Sequence, residues 1–275
     1  MPARKPPTVA AVRTGGQPPG LKERRNEEHW AGRLYMRAFS PYFSWLFLRI
    51  GLSPNQLTYS MIVCGVLGGV AVALPLSGVA GVVGAGAGAL LIQVYLLLDC
   101  SDGEVARFTG KTSITGVYLD RLGHYFSEVA LLIGRGVRAQ GDLRSGGWVE
   151  LGLVAALGAA LIKAETDNVV VARAKSGLPA EPAIGDRALR PRSSGLALAR
   201  QFASLVGFHR IIGAVELSLL ILAAALIDFY VLHVTDITEA TGWTVTRALT
   251  TVVAAVAVLQ TVLHFISVVA SRRLK

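Results

Sequence analysis

Charged residues are scarce in this chain: Asp, Glu, Lys and Arg make up 16% of 275 residues, against 52% apolar side chains. With a mean hydropathy of +0.51, that balance excludes an ordinary water-soluble domain of this length and points to the bilayer as solvent. Cysteine is scarcer still. Cys64 and Cys100 lie in or beside apolar segments, without the spacing of a disulfide framework or a zinc site, and read as small buried hydrophobes. The opening stretch MPARKPPTVAAVRTGGQPPG lacks the continuous apolar core of a secretory signal. Its Pro, Gly and small residues predict a disordered cytoplasmic tail over residues 1–26. No repeat of solenoid period and no long low-complexity tract is visible, so one membrane domain is expected over residues 54–275.

Between the tail and that domain, residues 27–53 mix Trp30, Leu34, Tyr35, Phe39, Phe43 and Trp45 with Arg33, Arg37 and Arg49. This pattern suits an amphipathic helix lying in the membrane interface, broken by Pro41 into two pieces. A spanning helix needs roughly 20 mostly apolar residues, and six stretches meet that need, at approximately 54–75, 79–99, 114–134, 148–166, 210–230 and 245–270. The expected fold is therefore an all-α integral membrane protein of six spans behind an interfacial helix. Residues 79–98 carry no charge and contain Gly81, Gly84, Gly86 and Gly88, small residues that let helices approach closely in lipid. In the fourth stretch Lys163, Glu165 and Asp167 crowd the end of a short apolar core.

The net charge of +9 is consistent with nucleic acid or an anionic membrane surface as partner, and its distribution favours the membrane. With six spans and the N-terminus inside, only Arg135, Arg138, Arg144 and Arg247 of the 27 Lys and Arg fall on the far side. This positive-inside bias predicts both termini in the cytoplasm of a multi-pass plasma-membrane protein, and no nucleic-acid role is needed.

Within the apolar chain sits DCSDGEVARFTGKTSITGVYLDRLGH, which places Asp99 and Asp102 at the end of the second span and Asp120 and His124 inside the third. A carboxylate near the bilayer centre costs about 3 kcal/mol on insertion scales, which makes it a functional candidate. The spacings i, i+3 and i, i+4 put each pair on one helix face. A short link, roughly residues 108–113, makes the two helices antiparallel neighbours near the cytoplasmic boundary. Their facing carboxylates suit Mg²⁺ or Mn²⁺. Gly103 and Ala106 leave room for a ligand to reach the backbone, Arg107 offers a charge for phosphate, and Gly116 gives similar clearance from the other helix.

This stretch resembles the signature of the CDP-alcohol phosphotransferases, D-x2-D-G-x2-A-R-x8-G-x3-D-x3-D, at Asp99, Asp102, Gly103, Ala106, Arg107, Gly116 and Asp120. The resemblance implies transfer of a phospho-alcohol from a CDP-linked donor, commonly CDP-diacylglycerol, to a hydroxyl acceptor with release of CMP. It implies two Mg²⁺ or Mn²⁺ ions held by Asp99, Asp102 and Asp120, and it suggests a homodimer. The SPNQLT stretch resembles the family's Pro-Asn-x-x-Thr element, implying that Asn55 and Thr58 face the nucleotide. Ser113 stands where members of the family often place a hydroxyl near the donor phosphates.

The last signature position, an Asp that serves the family as base and metal ligand, is His124 here. An imidazole accepts a proton at neutral pH more readily than a carboxylate, so His124 is read as base, or as a metal ligand whose other nitrogen is oriented by Glu128. Lys163, Arg173, Arg190, Arg192, His209 and Arg210 are candidates for an acceptor-phosphate pocket, His209 and Arg210 foremost, against the alternative of plain positive-inside charge. Glu216 would orient an acceptor hydroxyl or pair with an Arg, and His29, His233 and His264 read as interfacial or packing residues. Two other classes stay open: a catalytically silent relative that binds CDP-lipid or organises partners, favoured by His124, and a transporter using Asp99, Asp102 and Asp120 as its cation site.

Overall fold

The computed structural model describes residues 7–18, 30–179, 212–234, 243–270 and 274, and among these the chain is helical without a strand. In order come α1 (Val9–Gly16), a π-helical turn (Gly32–Met36) leading into α2 (Arg37–Arg49), α3 (Pro54–Ala73), α4 (Gly78–Thr109), α5 (Ile114–Gln140), α6 (Gly147–Lys175), α7 (Ala214–Val234) and α8 (Thr244–Ala270). Five of them, α3, α4, α6, α7 and α8, are long and apolar enough to cross a membrane. α5 has 27 residues, about 40 Å at roughly 1.5 Å per residue. Asp120, Arg121, His124, Glu128, Arg135 and Arg138 lower its apolar content.

Local sequence sets the ends that position the site. Ser53, Pro54 and Gln56 open α3 with a reciprocal cap: Gln56 N–H donates to Ser53 Oγ at 3.3 Å and Ser53 N–H to Gln56 Oε1 at 2.9 Å. α4 stops at Gly110, whose φ of +65° only glycine adopts readily. Lys111 N–H closes that end on the Ala106 carbonyl at 3.0 Å. Just after it Ser113 Oγ caps α5 by accepting from Gly116 N–H at 3.0 Å. The expected direct packing of α4 on α5 does not form, because both helices pack on α3 instead.

α3 packs against both α4 and α5, and in the α3–α5 seam Gly65 faces Ser127, Gly69 faces Ala130 and Gly134, and Gly123 takes the side chains of Met61 and Ile62. A Cβ added at Gly134 would stand 2.2 Å from the Gly69 carbonyl oxygen, a backbone atom that has little room to yield. Gly134→Ala should therefore lower stability by about 1–3 kcal/mol, the cost of overpacking, seen as a lower midpoint in thermal unfolding of the detergent-solubilised protein.

α6 departs from the expected fourth span. Instead of ending near residue 166 it runs on to Lys175, because the charged residues near its middle find partners on neighbouring helices. Lys163 pairs with Glu128 of α5 at 3.2 Å, and Glu165 with His264 of α8 at 2.6 Å. Asp167 pairs with Arg121 and accepts from the Tyr125 hydroxyl at 3.1 Å. Three of the four basic residues expected on the far side are likewise held by protein. Arg135, fully buried, donates to the Leu249 carbonyl at 3.1 Å. Arg138 stacks over Trp243 at 5.5 Å, while Arg247 stacks over Trp148 at 5.5 Å and donates to the Ala139 carbonyl at 3.0 Å.

Two expectations for the N-terminal region need correction. Residues 9–16 of the expected disordered tail form a helix, capped by Thr8 Oγ1, which accepts from Ala11 N–H at 3.2 Å. Pro41 does not divide the next helix and lies inside α2. A proline frees the carbonyl four residues earlier, here that of Arg37, and Gln17 Nε2 donates to it at 2.9 Å. The tail thus supplies the donor that the proline removed.

Candidate active site

The chemistry-bearing residues meet across the gap between α4 and α5, two helices that each pack on α3 and scarcely touch each other, a few turns from the link between them. Asp99 comes from α4, and Asp120 and His124 from α5. His124 Nε2 lies 3.4 Å from Asp99 Oδ1 and 3.7 Å from Asp120 Oδ1. One ligand atom from each of the three falls within 4.8 Å of the others. Two carboxylates and an imidazole at this spacing are a donor set that fits a divalent cation.

Asp102 turns away from that trio toward α3, where it is buried and its Oδ2 accepts from Thr58 Oγ1 at 2.6 Å. Thr58 also donates to the Pro54 carbonyl at 3.1 Å. The capped start of α3 is in this way tied to the acidic end of α4. Across the same corner, a Cβ on Gly116 would meet Ser113 Oγ at 3.2 Å and Asn55 Oδ1 at 3.3 Å. Asn55, Ser113 and Gly116 therefore lie together, although the Ser113 hydroxyl is already occupied in capping α5.

Arg107 lies one turn beyond Gly103 on α4. Its Nε donates to the Gly16 carbonyl at the end of α1, at 2.6 Å. A Cβ on Gly103 would stand 3.0 Å from Arg107 Nη1, so glycine at 103 gives the guanidinium its space. Beside it Glu104, which the sequence reading did not single out, gathers the N-terminal region. It is fully buried and accepts from Ser40 Oγ at 2.5 Å, Ser44 Oγ at 2.6 Å and Gln17 Nε2 at 2.8 Å, with Arg37 Nη1 at 3.7 Å. A signal for it existed: Ser40 and Ser44 are spaced i, i+4 on an otherwise apolar and basic helix, a hydroxyl pair awaiting one acceptor.

Glu128 does not orient His124, because its carboxylate is taken by Lys163. The partner of His124 Nδ1 is the hydroxyl of Tyr95. Tyr95 stands one turn before Asp99 on the same face of α4, a spacing that marks it in the sequence. Among the acceptor-pocket candidates, Lys163 pairs with Glu128, and Arg173 donates to the Pro179 carbonyl at 2.8 Å. Arg190, Arg192, His209 and Arg210 lie outside the described residues, as does His29. Glu216 accepts from the Trp30 backbone N–H at 3.3 Å.

Apolar helices of spanning length, with an acid and imidazole cluster between one of them and the more polar α5, define a multi-pass membrane protein built around a polar site. More narrowly, residues 51–181, from the turn before α3 to just beyond α6, match the model of the CDP-alcohol phosphatidyltransferase family. The match contains every signature position from Asp99 to His124. Comparison with curated proteins gave no match.

Proposed function

We propose that the protein is a divalent-metal-dependent CDP-alcohol phosphotransferase of lipid or phospho-polyol synthesis, acting at the cytoplasmic face of a plasma membrane. One observation carries this reading: within the matched domain, Asp99 of α4 converges with Asp120 and His124 of α5. The family itself is a transferase family that uses CDP-alcohol donors and alcohol acceptors. In the topology that goes with this reading α5 is the third of six spans, its charged face turned to its neighbours, and α2 lies in the interface.

Asp99, Asp102 and Asp120 are the residues that would hold Mg²⁺ or Mn²⁺, two ions by the family pattern. Such ions neutralise phosphate charge in the reaction. Asn55, Thr58 and Ser113 line the nucleotide side, and Gly103, Ala106 and Gly116 keep the backbone approachable. Arg107, held through Nε, keeps Nη1 and Nη2 for the donor phosphates. His124 takes the proton of the acceptor hydroxyl on Nε2 as that oxygen attacks the phosphorus bearing the alcohol group, and CMP leaves. The same lone pair cannot serve a proton and a metal at once, so the carboxylates carry the metal. His209 and Arg210 are the acceptor-side candidates, and a homodimer is the expected assembly.

The reading is tested by CMP release from CDP-diacylglycerol and from CDP-inositol, with Mg²⁺ or Mn²⁺, across inositol phosphate, glycerol phosphate, serine and inositol. Release should require metal and one acceptor, and should fall about 10²–10⁴-fold in His124→Ala, the usual contribution of a general base. A wild type silent with every pair, together with turnover gained in His124→Asp, would replace this reading with a catalytically retired CDP-lipid-binding relative, the alternative that His124 itself favours.

A further inference from the structure

α2 has the reverse polarity of a surface helix in water. Phe39, Tyr42, Phe43, Leu46 and Ile50, spaced i, i+3, i+4, i+7 and i+11, form one exposed apolar stripe along the helix and its cap. The hydroxyl face is the buried one: Ser40 and Ser44 are fully buried and donate to Glu104 of α4 at 2.5 and 2.6 Å. A helix facing water turns its hydroxyls out and its aromatic rings in, so the stripe is built for an apolar medium.

The tie to Glu104 also sets how deep α2 lies. The charge-free part of α4 ends at Leu98, and Glu104 stands six residues beyond it, about 9 Å at roughly 1.5 Å per residue. Bilayer hydrocarbon is about 30 Å thick and the bilayer with its headgroups about 40–45 Å, so α2 is held at the level of the headgroups. Two cations mark the same level. Arg13 of α1 lies over the Tyr42 ring, its Cζ 5.7 Å from the centroid, and Arg49 lies over Trp45 at 4.4 Å. Arg49 follows Tyr42 at i+7, which puts both exposed guanidiniums along one edge of the stripe. A guanidinium stacked on a ring still offers N–H groups in its own plane to a phosphate.

We propose that α2 and Arg13 form a binding surface for anionic phospholipid, with the stripe among the upper acyl chains and Arg13 and Arg49 on headgroup phosphates. Charge complementarity selects this occupant. A second copy meeting the stripe through a two-fold axis would bring the same cations into one interface, whereas anionic headgroups complement them. The proposal needs the chain to lie in a membrane and is independent of the transferase reading, so no CMP release enters its test.

The test puts a fluorophore on Leu46→Cys in a Cys64→Ala/Cys100→Ala background. The full chain is reconstituted into mixed phosphatidylcholine–phosphatidylglycerol vesicles, with bromine on the acyl chains of one lipid or the other. Both lipids should quench the probe, because the stripe lies in lipid. Phosphatidylglycerol should be enriched around it at least about fivefold over its bulk share, the factor that one Arg near a membrane surface contributes. Arg13→Gln/Arg49→Gln should bring that enrichment to about one, and so should salt at about 1 M, where charges are screened beyond about 3 Å. A second readout needs no cysteine change: native mass spectrometry should find phosphatidylglycerol retained on the wild-type chain and lost from Arg13→Gln/Arg49→Gln. No quenching by either lipid, with disulfide-linked dimers of Leu46→Cys in its place, would assign the stripe to a second copy and overturn the proposal. Equal quenching by both lipids, or a preference unchanged in Arg13→Gln/Arg49→Gln, would overturn it too.

Discussion

Asp120→Asn should abolish metal-dependent CMP release, lowering kcat/KM by at least about 10³-fold, while the protein still folds and elutes as wild type. The carboxylate lies inside the matched domain with an oxygen 3.7 Å from His124 Nε2, and its ligand atom is within 4.8 Å of those of Asp99 and His124. An amide keeps the shape and one acceptor oxygen but removes the charge, so metal affinity falls much more than packing does. Loss of metal stabilisation of developing charge is worth several kcal/mol, and each 1.36 kcal/mol is a factor of ten in rate. Titration with Mn²⁺ separates the causes: activity restored at high metal means weakened binding, whereas a rate that stays low means that the carboxylate acts in the reaction itself. Retention of wild-type activity at ordinary metal concentration would remove Asp120 from the site.

Deletion of residues 1–18 should raise the KM for the CDP donor about tenfold and leave kcat nearly unchanged. The Gly16 carbonyl accepts from Arg107 Nε at 2.6 Å, which fixes the plane of the guanidinium and aims its two remaining nitrogens. Without that acceptor the side chain regains its rotamers, and Arg107 binds phosphate with less of its geometry set beforehand. A hydrogen bond to a charged group contributes about 1.5–3 kcal/mol, whose lower end is the tenfold change. Gln17 is lost in the same deletion, which takes one donor from Glu104 and the donor at 2.9 Å from the Arg37 carbonyl. A lower thermal midpoint should therefore accompany the change in KM. Gln17→Ala isolates that part, because it leaves Gly16 in place: stability should drop while the donor KM stays near the wild-type value. If the deletion instead lowers KM, α1 obstructs Arg107 and does not aim it.

The signature region was legible in the sequence because its chemistry depends on spacing along one helix. Asp99 and Asp102, and Asp120 and His124, share faces whatever surrounds them, and the short link at Gly110 brings the near ends of their helices together. Caps were legible for the same local reason, as at Ser53 and Ser113. The partners of His124 and Glu104 were not. Whether Nδ1 meets Glu128 or Tyr95 depends on which way α4 and α5 are rotated about their axes, and that rotation is set by the glycine seam with α3. Glu128 was drawn to Lys163 by α6, a helix too distant in sequence for any spacing rule to reach.

Composition and pattern by themselves determined an all-helical membrane chain with its acidic motif between two long helices, since apolar length and i, i+4 spacing are properties of a single segment. Only the tertiary structure decided that Asp102 faces Thr58 while Asp99 faces His124, that the N-terminal residues form a helix held against Arg107 and Glu104, and that α6 continues through its charged middle. Each of these outcomes depends on a partner far away along the chain, from Asp99 and His124 on different helices to Gly16 and Arg107, or on a charge whose cost in an apolar setting vanishes only once that partner is in place.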